Sequence, residues 1–269
     1  MDVSGKLDDN TMKMLIDEGD KIEYLSNFDF LLSHNGLRRG CVHTLLGASH
    51  GGKSTLVRTM IMDFLSDRKK KKKVLIWLSE ESRIEFLTEF GRTSFRRYDD
   101  DQLYIFSEMD YPETKDVMMT IHELVKQYDV DLILYDNITT GLLYMDKRVE
   151  EQSRFLKKIK RMVADLNIPC VLVAHTGAAV TENSPRLIDM NDVRGSKTLV
   201  NISQFFYIMQ TFYEDSKKHS TVRITKHRGQ EVTESIFLLD YFPRGRVYGK
   251  DEPMSFADFK EIFKSRNKL

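Results

Sequence analysis

The sequence predicts an α/β domain with a mostly parallel central sheet, helices on both faces and an antiparallel edge towards the C-terminus. Up to residue 175, short apolar runs alternate with amphipathic segments, as in parallel strands joined by helices. Three later apolar runs follow one another without helices between them, as in an antiparallel extension. A glycine-rich loop joins the first apolar run to the first amphipathic segment.

The strands of the parallel part are predicted where short runs are continuously apolar. They are Val42–Leu46, Val74–Leu78, Leu103–Phe106, Leu132–Tyr135 and Cys170–Ala174. Helices are predicted where apolar residues recur at three- and four-residue spacing. They are Ser54–Leu65, Val117–Tyr128 and Val149–Leu166, the last with a basic face. The antiparallel runs are Phe205–Gln210, Thr221–Thr225 and Ser235–Leu239, and a short helix is expected over Ser255–Phe263.

Residues 27–269 are predicted to form one domain, because no repeat or low-complexity linker divides them. A chain of 269 residues, 41% of them hydrophobic, is long enough for one large core. Residues 1–26 are polar and predict an N-terminal arm outside the sheet. Their short amphipathic stretch is Met12, Met14, Leu15 and Ile16.

Charge composition excludes a strong overall attraction to polyanions. Lys plus Arg and Asp plus Glu number 41 each, so the formal net charge is zero. Contact with nucleic acid must therefore come from a local patch. The run Arg68–Lys73 is one such patch, for which a solvated loop is the favoured interpretation and a phosphate-contacting loop the alternative.

The expected location is the cytoplasm. The two cysteines, Cys41 and Cys170, lie in apolar runs, which predicts small buried side chains in a reducing compartment. The first residues are polar and acidic, unlike a secretory signal. No apolar run approaches the roughly 18–20 residues that span a bilayer, so we expect a soluble protein without a membrane partner.

The glycine-rich loop, residues 47–54, satisfies the phosphate-binding pattern G-x-x-x-x-G-K-[ST]. Its glycines are Gly47, Gly51 and Gly52. They permit a tight turn whose amides face phosphates, and the helix N-terminus adds a partial positive charge. Lys53 is expected to neutralise the β- and γ-phosphates of ATP, and the Ser54 hydroxyl to bind Mg²⁺. Thr55 is expected near the α-phosphate.

Carboxylates follow two of the predicted strands. Asp136 ends the fourth strand and is expected to hold Mg²⁺ directly or through water. Glu80 and Glu81 follow the second strand, where a carboxylate is placed to polarise an attacking water. From spacing alone, an exposed acidic turn or the first turn of a helix is an equal alternative for the two glutamates.

Two further strands end in polar residues. His175 is placed to sense the γ-phosphate, although a lone histidine at a strand end is more often structural. Lys226 and Arg228, two positions apart, point to the same face of a late strand. Such a pair is suited to reach a phosphate on a neighbouring subunit as an arginine finger, but the residues alone favour a solvated surface turn.

Together these motifs resemble the RecA-like ATPases, and within them the branch of KaiC, RadA and DnaB-type helicases. The resemblance covers about Phe28 to Leu239 and includes the glycine-containing lead-in Asn35–Gly40. It implies a RecA-like P-loop fold that uses ATP and Mg²⁺. It also implies Glu80 as catalytic base with Glu81 as the alternative, and His175 as the γ-phosphate switch. Lys226 and Arg228 match the K-x-R finger that these families insert into an adjacent subunit.

The resemblance also implies partners. It predicts a homo-oligomer, a hexamer in the favoured case, with ATP at the subunit interfaces and single-stranded DNA as the polymer acted on. The stretch that carries the DNA loop in this family contains Arg186, Arg194, Gly195, Ser196 and Lys197. Arg194 and Lys197 are the predicted phosphate contacts, independent of base sequence.

The function expected from the resemblance is an ATP-driven motor on single-stranded DNA, like a replicative helicase, with replication or recombination proteins as partners. The length fits a compact ring helicase of the RepA type. One alternative is a KaiC-like regulatory ATPase that acts through protein partners, favoured by the glutamate pair and the zero net charge. The other is a strand-exchange recombinase.

Some features depart from the family pattern. His50 occupies a loop position where these families usually carry a small or polar residue. The sequence contains no zinc module like that of RadA, no second KaiC domain and no primase-binding domain like that of DnaB. The aromatic DNA-loop signature of recombinases is not identifiable either. The branch within the superfamily therefore stays open.

Overall fold

The computed structural model describes most of the predicted domain. The described residues are 28–32, 36–66, 71–91, 99, 101–110, 117–141, 144, 147–177, 186–214, 217–228, 235–243, 247–255 and 258–259. The predicted N-terminal arm lies outside them, as does most of the predicted helix Ser255–Phe263. Among these residues, no helix combines the length and the apolar character needed to cross a bilayer.

The described elements alternate strands and helices as far as residue 175. The strands are β1 (Val42–Gly47), β2 (Val74–Leu78), β3 (Leu103–Ser107), β4 (Leu132–Asp136), β5 (Cys170–His175), β6 (Phe205–Glu214), β7 (Lys217–His227), β8 (Ser235–Phe242) and β9 (Val247–Met254). The helices are α1 (Asp29–Leu32), α2 (Lys53–Leu65), α3 (Arg83–Gly91), α4 (Val117–Tyr128), α5 (Val149–Leu166) and α6 (Thr198–Ile202).

The strands form one nine-stranded sheet in the order β3-β2-β4-β5-β1-β6-β7-β8-β9. All pairings from β3 to β6 are parallel, and those from β6 to β9 are antiparallel. The predicted α/β class, with a mostly parallel sheet and an antiparallel C-terminal edge, is confirmed. Because the parallel strands share one direction, the loops after β1, β2, β4 and β5 meet at one edge, which we call the carboxyl edge.

The sheet is buried on both faces. Alternate residues of β2 enter two different hydrophobic cores, with Ile76 and Leu78 on one face and Leu75 and Trp77 on the other. Helices α2 and α3 cover the first face, and α4, α5 and α6 cover the second. This two-sided burial explains why the parallel strands are continuously apolar rather than alternating.

Four of the described helices and strands, α1, α3, α6 and β9, were not predicted. Strand β9 contains glycine, lysine, aspartate and proline, which have low strand propensity, and pairing with β8 holds it in the sheet. Helix α3 buries only Phe86 and Phe90, which is too short a periodic signal to detect. Helix α6 has five residues, and β6, β7 and β8 extend beyond the predicted apolar runs.

The end of the basic run differs from the solvated loop that was expected. Lys72 is buried, with Nζ 3.4 Å from Oδ1 of Asp131. Lys73 donates from Nζ to the Tyr128 carbonyl at 3.0 Å. Lys71 is exposed and lies 3.3 Å from Asp99. The described part of this run therefore anchors the start of β2, whereas residues 68–70 lie outside the described chain.

Candidate phosphate-binding site

The predicted phosphate-binding loop lies at the carboxyl edge, between β1 and α2. The Gly51 amide donates to the Ala48 carbonyl at 3.1 Å, which closes a tight turn. Gly52 caps α2 in the left-handed conformation, with φ 87°. At the start of this helix, as at any other, the first amides lack partners within the helix and favour an anion. Thr55 lies in the first turn of α2.

Lys53 projects from the start of α2 into this loop and is buried. Its Nζ donates to the Ala48 carbonyl at 2.7 Å. Burial lowers the pKa of Lys53 to about 8, and the carboxyl groups of Asp136 and Glu80 oppose this shift. The protonated amine is thus held in a poorly hydrated position where phosphate oxygens would stabilise its charge.

Asp136 ends β4, where the Ser54 hydroxyl is near enough to favour the charged form of its carboxyl group. Burial raises the pKa of Asp136 to about 6, assisted by Glu81 and Glu80 and opposed by Lys53 and Ser54. The two predicted magnesium ligands are therefore neighbours in the site. Among the described residues, no group of three or more His, Cys, Asp or Glu side chains is arranged around a metal position. Mg²⁺ commonly uses only one or two carboxylates together with substrate phosphates and water, so this donor set fits it.

The two glutamates after β2 have different environments. Nη2 of Arg58 donates to both carboxylate oxygens of Glu81, each at 2.9 Å. Burial raises the pKa of Glu81, and Arg58 opposes the shift. Glu80 is more exposed, 41% against 24% for the Glu81 side chain, and its Oε1 lies 3.6 Å from Nδ1 of His175. Glu80 is therefore the carboxylate on the side of Lys53 and His175, while Glu81 is held by Arg58.

His175 ends β5 beside the loop. Its Nδ1 is 3.4 Å from the Ser49 hydroxyl. Burial lowers the pKa of His175 to about 3, reinforced by Lys53, Arg194 and His50. The imidazole is consequently neutral at pH 7, so its approach to Glu80 is not an ion pair. A neutral ring here is suited to hydrogen bonding rather than to charge compensation.

Hydroxyl side chains join the strand ends at the carboxyl edge. The Asn137 amide donates to the Ser79 hydroxyl at 2.9 Å and connects β4 to β2. The His175 amide donates to the Thr139 hydroxyl at 3.0 Å and connects β5 to the turn after β4. The Asp136–Asn137 peptide bond is cis. Neither Ser79 nor Thr139 was predicted as a site residue, since only the strand order brings them together.

The phosphate-binding loop is also covered by the antiparallel edge. A Cβ on Gly52 would lie 2.5 Å from the Tyr248 hydroxyl, and one on Gly47 would lie 2.8 Å from the Met209 carbonyl. Tyr248 belongs to β9, and its amide donates to the Thr59 hydroxyl of α2 at 3.2 Å. The last strand therefore fixes the start of α2. No local signal in the sequence indicates this contact.

Gly52→Ala is expected to lower the free energy of unfolding by about 1–3 kcal/mol, because alanine is strained at this positive φ and its methyl group would meet Tyr248. Chemical denaturation monitored by circular dichroism measures this change. Gly91→Ala is the control, since a Cβ at Gly91 meets nothing within 4 Å, and it should be neutral or slightly stabilising. Equal stability of the two variants would contradict the expected strain.

Lys226 and Arg228 lie at the opposite edge of the sheet. The Arg228 amide donates to the Gln204 carbonyl at 2.9 Å, and the Gln204 amide donates to the Val42 carbonyl at the start of β1. Lys226 Nζ donates to the Val200 carbonyl at 2.6 Å. The six residues of β1 separate this edge from Gly47, a span of roughly 17–20 Å. Neither cation reaches the phosphate-binding loop of its own chain.

The predicted DNA contacts lie after β5. Arg194 and Lys197 are both exposed, on either side of a turn that contains Gly195 and Ser196. The Arg194 amide donates to the His175 carbonyl at 2.9 Å, so the segment runs along the end of β5. Arg186 binds both carboxylate oxygens of Asp192, at 2.8 and 2.6 Å. The structure therefore brings Arg194, but not Arg186, next to the other site residues.

Asp136→Asn is expected to stabilise the protein without nucleotide or metal. Because the pKa of Asp136 is about 6 in the folded state, its carboxyl group stays protonated there up to roughly pH 6. In the unfolded state the same group loses its proton at about pH 4. The charged carboxylate therefore destabilises the fold above about pH 6. Unfolding at pH 8 with a chelator should show a gain of about 1–3 kcal/mol, which disappears below about pH 4. A variant that is less stable than the parent at pH 8 would contradict the expected burial penalty.

Comparison with known proteins does not add to this geometry. No protein-family model matches the chain. No curated protein matches it either. The interpretation of the site therefore depends on the residues described above.

Proposed function

We propose that this chain is a P-loop ATPase with a RecA-like fold that hydrolyses ATP with Mg²⁺. One observation carries the proposal. Lys53, the neighbouring side chains of Ser54 and Asp136, and Glu80 converge at one edge of the sheet from three separate strand ends. A cation, a pair of oxygen donors and a carboxylate beside an amide-lined turn are the groups that phosphoryl transfer to water requires.

Each of these groups has a distinct role in the proposed reaction. The loop amides and Lys53 bind and neutralise the β- and γ-phosphates. Ser54 and Asp136 would hold Mg²⁺, which would supply positive charge to the phosphate oxygens. Glu80 accepts a proton from the attacking water. The water oxygen forms a bond to the γ-phosphorus, the bond between that phosphorus and the β,γ-bridging oxygen breaks, and ADP leaves. His175, neutral at pH 7, is suited to sense the γ-phosphate by a hydrogen bond.

The strand order supports the RecA-like assignment. The strand of the predicted sensor, β5, lies between β1 and β4, and the strand before the glutamates, β2, lies beside β4. This order places the end of β2 beside Asp136, and the Glu80 side chain extends from there towards His175, with 3.6 Å between its Oε1 and Nδ1 of the imidazole. Because β4 and β5 lie between β2 and β1, a base after β2 leaves room for a water molecule between itself and phosphates bound after β1.

A homo-oligomer, in the favoured case a hexamer, is proposed on the resemblance and is supported by the location of Lys226 and Arg228. They lie at the far edge of the sheet, and Arg228 is exposed. If they stabilise the transition state, they act on ATP bound to another subunit. This proposal requires that the oligomer place one subunit's far edge against the next subunit's carboxyl edge.

We propose single-stranded DNA as the polymer acted on. The resemblance to ring helicases supports this proposal, and so do the exposed cations at Arg194 and Lys197. The alternative is a regulatory ATPase that acts through protein partners. It is favoured by the zero net charge, which gives no general attraction to DNA.

The ATPase rate with and without single-stranded DNA tests the proposed function. We expect stimulation by DNA that weakens steeply with salt, because phosphate contacts release counterions. Lys53→Ala is the control and should abolish both turnover and retention of nucleotide. Turnover without stimulation would favour the regulator. Failure of the parent protein to bind nucleotide with Mg²⁺ would overturn the proposal.

A further inference from the structure

The segment before helix α6 is fixed against the phosphate-binding region. Thr176 and Val193 form an antiparallel bridge, and the Gly177 amide donates to the Asp192 carbonyl at 2.8 Å. The Thr176 amide in turn donates to the Gly47 carbonyl at 3.2 Å. The end of β5 therefore lies between Arg194 and Gly47, the first residue of the phosphate-binding loop.

A buried tyrosine holds the turn that follows Arg194. The Tyr144 hydroxyl accepts from the Ser196 amide at 2.8 Å and donates to the Arg194 carbonyl at 3.2 Å. Gly195 has φ 86°, and a Cβ there would lie 2.6 Å from the Tyr144 ring and 2.8 Å from Gln152. The backbone of Arg194 is thus fixed on both sides, which limits where its side chain can reach.

Within the described residues 186–197, the carboxylate nearest to Arg194 in sequence is already paired. It belongs to Asp192, which Arg186 binds through both oxygens. The positive charge of Arg194 also acts on the imidazole of His175. It contributes to the lowered pKa of His175, although burial and the charge of Lys53 contribute more. The side chain is exposed. A fixed backbone with an exposed guanidinium at this location is suited to a phosphate.

We infer that Arg194 contacts the terminal phosphate of a nucleoside triphosphate bound by its own chain, and that Tyr144 positions it. This inference rests on the proposed function. It gives the site a means of distinguishing triphosphate from diphosphate within one subunit. It also assigns Arg194, predicted from sequence as a DNA contact, to the nucleotide, and leaves Lys197 as the DNA prediction of this turn.

Equilibrium binding of ADP and of the non-hydrolysable analogue β,γ-imidoadenosine triphosphate, each with Mg²⁺, tests the inference. The readout is the ratio of the two dissociation constants. Arg194→Ala should reduce the preference for the analogue by about 10-fold to 100-fold and leave the ADP affinity unchanged, as expected for loss of a charge-assisted hydrogen bond. Arg194→Lys should restore part of the preference, and Tyr144→Phe should reduce it by a smaller factor. Arg161→Ala, an exposed arginine on α5, is the matched control and should leave the ratio unchanged.

Several outcomes would overturn the inference. If Arg194→Ala weakens both nucleotides equally, the residue is structural. If the ratio is unchanged while binding of a single-stranded oligonucleotide is lost, Arg194 is a DNA contact. If Tyr144→Phe leaves the ratio unchanged, Tyr144 does not position Arg194. Failure of the parent protein to bind either nucleotide would remove the proposed function as well, whereas normal binding with an unchanged ratio in Arg194→Ala removes this inference alone.

Discussion

Glu80→Gln is expected to lower kcat for ATP hydrolysis by about 10²–10⁴-fold while ATP binding is retained. The amide is nearly the same size as the carboxylate but does not accept the proton of the attacking water. Glu80 is the more exposed of the two glutamates after β2, and it lies 3.6 Å from His175. A single-turnover assay of phosphate release, with ATP affinity measured separately, distinguishes loss of chemistry from loss of binding.

Glu81→Gln is the matched control for this prediction. Glu81 is bound by Arg58 through both carboxylate oxygens, so its replacement by glutamine should not remove the base. We expect kcat to fall by less than about 10-fold and the free energy of unfolding to change little, because the loss of a hydrogen bond to Arg58 is offset by the removal of a buried charge. The assignment of the base would be wrong if Glu81→Gln lost as much turnover as Glu80→Gln, or if Glu80→Gln remained active.

The elements that position the site were predictable because their signals are local. The pattern around Lys53, the apolar run before Asp136 and the alternation of strands and helices each occupy one continuous stretch. Helices α4 and α5 begin and end at the predicted residues because their apolar periodicity is long. Strand β9 lacks such a signal, since it depends on pairing with β8.

The contacts that distinguish Glu80 from Glu81 were not predictable. Spacing alone does not distinguish the two glutamates, whereas Arg58, which lies 23 positions earlier on α2, binds only Glu81 of the two. The hydroxyl groups of Ser79 and Thr139 join strands that are adjacent only in the folded sheet. Such contacts depend on strand order, which a local pattern does not contain.

Arg228→Ala is expected to lower turnover by about 10³–10⁵-fold, while ATP binding by the same subunit is nearly unchanged. The reason is geometric. Arg228 follows β7 at the end of the sheet where β1 begins, roughly 17–20 Å from Gly47, so it cannot touch ATP held by its own loop. Nucleotide affinity measured by titration, alongside steady-state turnover, should separate the two effects. Full turnover of Arg228→Ala would make the finger assignment wrong.

Mixing two inactive variants separates action on a neighbouring subunit from a structural role. Lys53→Ala subunits cannot use ATP but still present Arg228, whereas Arg228→Ala subunits bind ATP but lack the finger. In randomly mixed oligomers at equal ratio, about a quarter of interfaces combine an intact loop with an intact finger, because each has an even chance of being present. Activity should therefore rise well above that of either variant alone. Mass measurement establishes whether the two variants co-assemble. If they do, and the mixture has no more activity than the sum of its components, Arg228 does not act across an interface. Its effect would then have to come from the stability of the paired strands β6 and β7.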